Sequence, residues 1–383
     1  MGIRVLVALA LASAVWAEEE SKLTRQGDFW VQTITGSEAV ASGGRLRVSM
    51  QGSMTVRGVP EAQAQYTVTK RVKAKREEEA RRILRQFVVR IRRQGDLTVM
   101  EIAHGGDGWN GADLKLNIPR GTREALLETH GGPIDAADLN GIARVQTDGG
   151  PIRLDRISGP VTAQTAGGEI KLGTIGSSVY LTSGGGPIRA ESVGGEAVLE
   201  TGGGDITATE VGGRLRATTA GGAIRIGRVG GSASVNTAGG EIEVGSAGGM
   251  VIAESGSGEI HIGAANGVQC ETGGGAVRLA NVTGALRVAT PVGNVIAQLL
   301  AGGAPQESFL TTGMGDITVL IPSNIRIRIL AQIDSSGKIV SDFPGVTAGS
   351  GRRQRVAEGD INGGGPLLRL STASGTIYIR RQK

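Results

Sequence analysis

Basic side chains recur at Arg153, Lys171, Arg189, Arg225 and Arg278, the first three at intervals of 18 residues. If that interval is one turn of a coil, these three stand about 4.8 Å apart, the separation of neighbouring strands. A cationic row at that pitch suits an anionic glycan, a teichoic acid or a lipid headgroup. The same position in other coils holds Asp135, Thr207, Glu243 and His261, which puts its two acids six coils apart. Paired-carboxylate catalysis needs both groups on one face across neighbouring coils. A polysaccharide-active enzyme on a β-helix therefore ranks behind a binding surface. Long charged side chains also solvate a flat sheet and discourage aggregation, so the row has a reading that needs no ligand.

Other chemistry is sparse. Hydroxyl residues form a second column, Thr147, Thr165, Ser183, Thr201, Thr219, Thr237, Ser255, Thr272 and Thr290. A nucleophile needs one positioned base, whereas a residue type repeated in every coil is a requirement of the fold; Ser and Thr readily bond nearby backbone. His104, His130 and His261 are far apart in sequence and show no zinc spacing. The turns lack the aspartates of nonapeptide calcium repeats: Gly203-Gly204-Asp205-Ile206 is followed by Thr207, Ala208 and Thr209. The paired glycines do not open a helix, so they form no phosphate loop. Cys270 occupies an inward position held elsewhere by Leu199, Val235 and Ala253 and reads as a core residue. No catalytic residue, metal ligand or cofactor site is assigned.

The elements that position the row come from one period. Ile or Val returns at Ile134, Ile152, Ile170, Ile188, Ile206, Ile224, Ile242, Ile260, Val277 and Val295, every 18 residues with one step of 17. Most follow a glycine turn, as in Gly167-Gly168-Glu169-Ile170. Ile170-Lys171-Leu172 alternates as a strand does, Ile175 closes that half, and Val179-Tyr180-Leu181 repeats the alternation after a second turn. The fold class is therefore all-β dominated, a parallel β-solenoid of two-strand coils. One coil buries too few side chains to offset its ordering entropy, so stability must come from stacking, with a cap on each open end. Glycine, 65 of 383 residues, concentrates in the turns, where close backbone approach excludes a Cβ.

Outside the coils the pattern changes. Arg4, the apolar run Val5 to Val15, and Val15-Trp16-Ala17 read as an export signal, residues 1–17, too short to span a bilayer and followed by Glu18-Glu19-Glu20. Residues 18–123 read as a small α+β cap: a strand over Gln65 to Ala74, a helix over Glu77 to Phe87, and a hairpin from Val88 to Ala103. Residues 124–383 form the solenoid, its period loosening after Val295, with Ile317 and Ile339 each 22 residues on and Ile377 a further 38. Residues 343–365, with Arg352, Arg353 and Arg355, read as a basic protruding loop.

Several segments together carry a resemblance. Thr67-Val68-Thr69-Lys70 through Glu77-Glu78-Glu79-Ala80, Leu116-Asn117-Ile118-Pro119-Arg120, the glycine coils, Asp342-Phe343-Pro344-Gly345, and Gly363-Gly364-Gly365-Pro366 before Ala373-Ser374-Gly375-Thr376-Ile377 resemble, in that order, the bacterial DUF4097 adhesin-like family. The resemblance implies a secreted or envelope β-solenoid and brings no catalytic residues with it.

The reading is a non-enzymatic, extracytoplasmic surface protein, binding or structural, with an anionic glycan or envelope component as partner. An envelope scaffold or sensor acting through protein contacts is the alternative. Net charge is only +5, and the basic face lacks interleaved aromatics, which argues against nucleic acid. No transmembrane segment is expected after cleavage. The exported protein should begin at Glu18 by mass spectrometry; an intact Met1 on it would refute the signal.

Overall fold

The structure, a computed structural model, describes residues 19–40, 43–103, 111–300, 306–349 and 355–382. The expected signal at 1–17, His104, Trp109, Arg352 and Arg353 lie outside the described residues. Each regular coil lays down two strands, such as Ile152–Ile157 and Val161–Thr165, followed by Ile170–Ile175 and Val179–Ser183. First strands pair with first strands, Ile152 with Ile170, and second with second, Val161 with Val179, all parallel. A front and a back sheet result, with one core between them. Ile206 is fully buried between Ile188 and Ile224, while Thr207 beside it faces outward between Arg189 and Arg225. The alternating register read from the sequence is the observed one.

The tightest contact runs along the turn from back strand to front strand. A Cβ on Gly222 would lie under 3.0 Å from the Gly204 carbonyl of the coil before, and Gly204 stands in the same relation to Gly186. Only glycine fits such an approach. Beside it, the buried Thr219 hydroxyl donates to the Gly204 carbonyl at 2.9 Å and accepts from the Gly222 N–H at 3.3 Å. Thr147, Thr165, Ser183, Thr201, Thr237, Ser255 and Thr272 repeat this pair of hydrogen bonds. The hydroxyl column therefore joins each coil to the one before it, and Thr129, Thr312 and Thr372 extend it beyond the nine positions read from the sequence.

At both ends the order of coils in the stack departs from the order along the chain. Arg45–Met50 pairs in parallel with Leu97–Ala103 on one side and Glu124–Thr129 on the other. Gly52–Val59 lies likewise between Gly111–Pro119 and Ile134–Leu139. The parallel ladder thus continues through much of 18–123, and the coil at 45–59 is sandwiched by two later ones. Antiparallel strands close that end: Val88–Gln94 on Leu97–Ala103, Gln63–Lys73 on Gly111–Pro119, and Phe29–Ala39 outside Gln63–Lys73. The helix Glu77–Leu84 buries Ala80 and Leu84 against these strands.

The far end mirrors this arrangement. Leu367–Ser374 lies between Ser308–Met314 and Ile327–Ser336, and Ile377–Arg381 lies between Ile317–Ile321 and Ile339–Ser341. Ile377 therefore separates Ile317 from Ile339. The segment 343–365, expected as a loop, carries two strands, Val346–Ala348 and Val356–Ile361, the second pairing antiparallel with Ile327–Ser336. The strand Val356–Ile361 thereby closes the last edge of the back ladder, which would otherwise be left open.

The two glycines of one turn should respond oppositely to a methyl group. A Cβ on Gly221 meets nothing within 4 Å, whereas one on Gly222 meets the Gly204 carbonyl. Gly222→Ala should cost about 2 kcal/mol or more by thermal or urea unfolding, and Gly221→Ala less than about 0.5 kcal/mol. Equal effects would contradict the close approach.

Candidate functional site

The structure brings all five basic residues of the row onto the outer side of the front sheet. Asp135, Arg153, Lys171, Arg189, Thr207, Arg225, Glu243, His261 and Arg278 are successive partners in register. The column also runs further than its period showed, through Thr55 to Lys115 at one end and through Ile296, Thr318 and Tyr378 at the other. Arg153, Lys171, Arg189, Arg225 and Arg278 are all exposed.

Flanking acids change its electrostatics. Glu169, Glu241 and Glu259 stand at the turn position two residues ahead of the row, on the same face. Arg189 pairs with Glu169, Arg225 with Glu241 at 3.4 Å, and Arg278 with Glu259. Lys171 reaches Glu191, on the other flank, at 3.9 Å. Arg153 makes no ion pair among the described residues. These pairs are about half exposed, so each stabilises little, yet each cancels most of a charge that a distant anion would sense. The partners are offset by one coil and by two columns, which is why a single-column reading of the sequence missed them; the acids that recur at some of these turn positions, Glu169, Asp205, Glu241 and Glu259, were the available signal.

Beside Arg153 the front strands carry a kink that holds a second charge cluster. Asp138 and Arg156 adopt left-handed backbone, φ 65° and 49°, at the equivalent point of successive coils. That turns both side chains outward together. Arg156 grips Asp138 through Nε at 2.8 Å and Nη2 at 3.0 Å, and its Nη1 contacts Asp155. The Arg156 hydrogen bonds hold the Asp138 carboxyl below its ordinary range, and the two aspartates raise the guanidinium in turn. Asp155 also accepts from the Thr174 N–H at 3.0 Å. A shallow groove runs past Arg57, Asp135, Arg153, Asp155 and Glu191 with Gly173 as floor. Its walls alternate in sign and hold no adjacent pair of free carboxylates suited to acid–base work.

The remaining candidates are dispersed. His130 is exposed with Nδ1 3.1 Å from Asp148, and His261 stands on the row between Glu243 and Arg278. Cys270 is buried between Ala253 and Val288, and burial pushes its thiol well up, away from the reactive thiolate. Among the described residues no three His, Cys, Asp or Glu side chains converge as metal donors. Among them, too, no helix is long and apolar enough to cross a membrane.

A parallel β-solenoid with capped ends and outward columns of repeated side chains is the class this geometry defines. The chain belongs to the family described as Toastrack DUF4097, which it matches over residues 44–380. Comparison with curated proteins finds no match. Among solved structures it is similar to a candidate cell adhesion protein from Clostridium sporogenes, at 10% identity, 96% of this chain, 100% of that one and a TM-score of 0.16. A candidate adhesin from Parabacteroides distasonis shares 16% identity over 65% of this chain and 95% of its own, with a TM-score of 0.34. Another from Bacteroides fragilis shares 14% over 75% and 97%, at 0.22. At these scores the likenesses carry no functional argument.

The Asp138 pair allows a test with a defined sign. Because its folded pKa is lowered, its contribution is present above the ordinary Asp value of 3.8 and disappears as pH falls through the folded value. Asn tolerates the left-handed backbone, so Asp138→Asn isolates the charge. At pH 7 this variant should lose about 1–2 °C in Tm, as befits an exposed pair, and the gap should narrow as pH falls below the ordinary Asp value and through the lowered folded one. A gap unchanged by pH would assign the effect to something other than the ion pair.

Proposed function

We propose that this chain is a non-enzymatic, adhesin-like surface protein, secreted or held in the cell envelope, that acts through the repeated outer face of its solenoid. The observation that carries this reading is the register: outward side chains from Asp135 to Arg278 line up along one unbroken parallel ladder. Such a ladder fixes charges at a pitch of about 4.8 Å on a rigid surface, which suits an extended partner better than a small substrate. Membership of the Toastrack DUF4097 family agrees with this reading. The ion pairs divide the row: Lys171, Arg189, Arg225 and Arg278 solvate and cross-link the face, and Arg153 is the cation open to an anionic glycan or envelope polymer.

Retention on immobilised anionic polysaccharides at two salt concentrations tests it. Wild type should bind at 0.1 M salt and lose most of its binding near 1 M, as the Debye length shrinks from about 10 Å to about 3 Å. Replacing Arg153, Lys171 and Arg189 by Ser should preserve Tm within about 2 °C and abolish salt-sensitive retention. Glu169→Gln with Glu191→Gln, which frees two cations, should raise retention. Equal binding by all three proteins would remove the row from any ligand role.

A further inference from the structure

We propose that residues 366–382 are a donor coil, a separable segment that completes the solenoid by entering a slot built by the rest of the chain, and that the same segment fills that slot when supplied as a separate molecule. The slot lies between two coils that precede it in sequence. Its one wall is Ser308–Met314 with Ile317–Ile321, and its other wall is Ile327–Ser336 with Ile339–Ser341. Residues 322–326 join these walls directly and cross two ladder steps instead of one, about 9.6 Å. The receptor is therefore covalently continuous without the coil that occupies it.

The donor satisfies both walls at once. Leu368, Leu370, Ile377 and Ile379 are fully buried. The Thr372 hydroxyl donates to the Gly315 carbonyl at 3.1 Å, and the Thr376 N–H donates to Asp316 Oδ1 at 2.7 Å, both on the first wall. On the second, the Gly375 N–H donates to the Ser336 carbonyl at 2.9 Å, and the Arg380 guanidinium donates to Asp342 at 2.8 Å. Gly375 sits against the Gly315 carbonyl, and Gly337 against that of Gly375, so the glycine column passes through the donor in the order 315, 375, 337. Every edge of the inserted strands is used, and the two coils beside it do not touch each other's ladder.

The link to the rest of the described chain is built for a change of direction. The strand Val356–Ile361 lies antiparallel on the outer side of Ile327–Ser336, and Leu367–Ser374 lies on its inner side. Between them Asn362, Gly363 and Gly364 all have left-handed φ, and Gly365 and Pro366 complete the crossover. A strand that adds to open edges on both sides gains main-chain hydrogen bonds from each, together with specificity from its alternate buried side chains. Nothing in those contacts depends on the crossover being intact.

A protease site introduced between Gly363 and Gly364 of the full-length protein tests this directly. After cleavage the C-terminal piece should stay bound in gel filtration. Incubation with a fluorescent synthetic peptide of residues 366–383 should then label the cut protein about a hundredfold more than the uncut protein, whose tether supplies a far higher effective concentration of its own coil. The same peptide carrying Leu370→Asp and Ile377→Asp should not label it. The inference is overturned if the cut piece leaves while the body keeps its unfolding midpoint. It is equally overturned if the wild-type peptide fails to enter even after mild denaturant is applied and removed, or if uncut protein or the substituted peptide labels as well.

Discussion

Everything in this solenoid depends on how closely successive coils approach at one turn. The carbonyl of Gly204 lies where the Cβ of Gly222 would be, and the Thr219 hydroxyl bonds that same carbonyl while holding the Gly222 N–H. Close approach strips the turn of solvent, so its polar groups need partners within the protein. The hydroxyl supplies one partner to each of two coils. Glycine and Ser/Thr are thus a single device, and neither column would hold the pitch without the other. With pitch and register fixed in this way, Ile206 falls inside and the charged residues beside it fall outside throughout the ladder.

A stack of this kind leaves open edges at its ends, and exposed ladders invite pairing with other chains. Both ends resolve this in the same manner. A coil from elsewhere in the sequence, 45–59 or 367–381, is slotted inside the last one, and antiparallel strands run over the outside. The outermost described strand of the front sheet, Ile339–Ser341, is only three residues long, which itself limits what can pair with it. Bulky side chains gather at these closures: Tyr66, Phe87 and Phe343 are buried there, where Gly-rich turns no longer set the spacing.

The middle of the fold was legible because its contacts repeat at a fixed interval, so Ile170 announces both its own orientation and that of Ile188. The ends were not, because their partners lie at irregular distances along the chain. Met54 pairs with Ile134, and Ile377 pairs with Ile317 and Ile339, separations that no local period reports. The spacings of 22 and 38 residues after Val295 were correct as numbers, but they record a coil that is filled from later in the chain. At the candidate site the basic column was legible from one position per coil. Its neutralising acids were not, since Glu169 and Arg189 belong to different coils and different columns.

The contrast between middle and ends has a consequence for how such a protein can change its length. Deleting or duplicating one regular period, for instance the stretch from Ile206 to Ala223, recreates the same joints, because each interior coil offers equivalent hydroxyl, glycine and aliphatic positions to both neighbours. The coils at 45–59 and 367–381 have no such freedom: each is matched to two particular partners and to a crossover of set reach. The number of interior coils is thus a quantity that gene duplication can alter in steps of one strand spacing. The two closures must be kept whole.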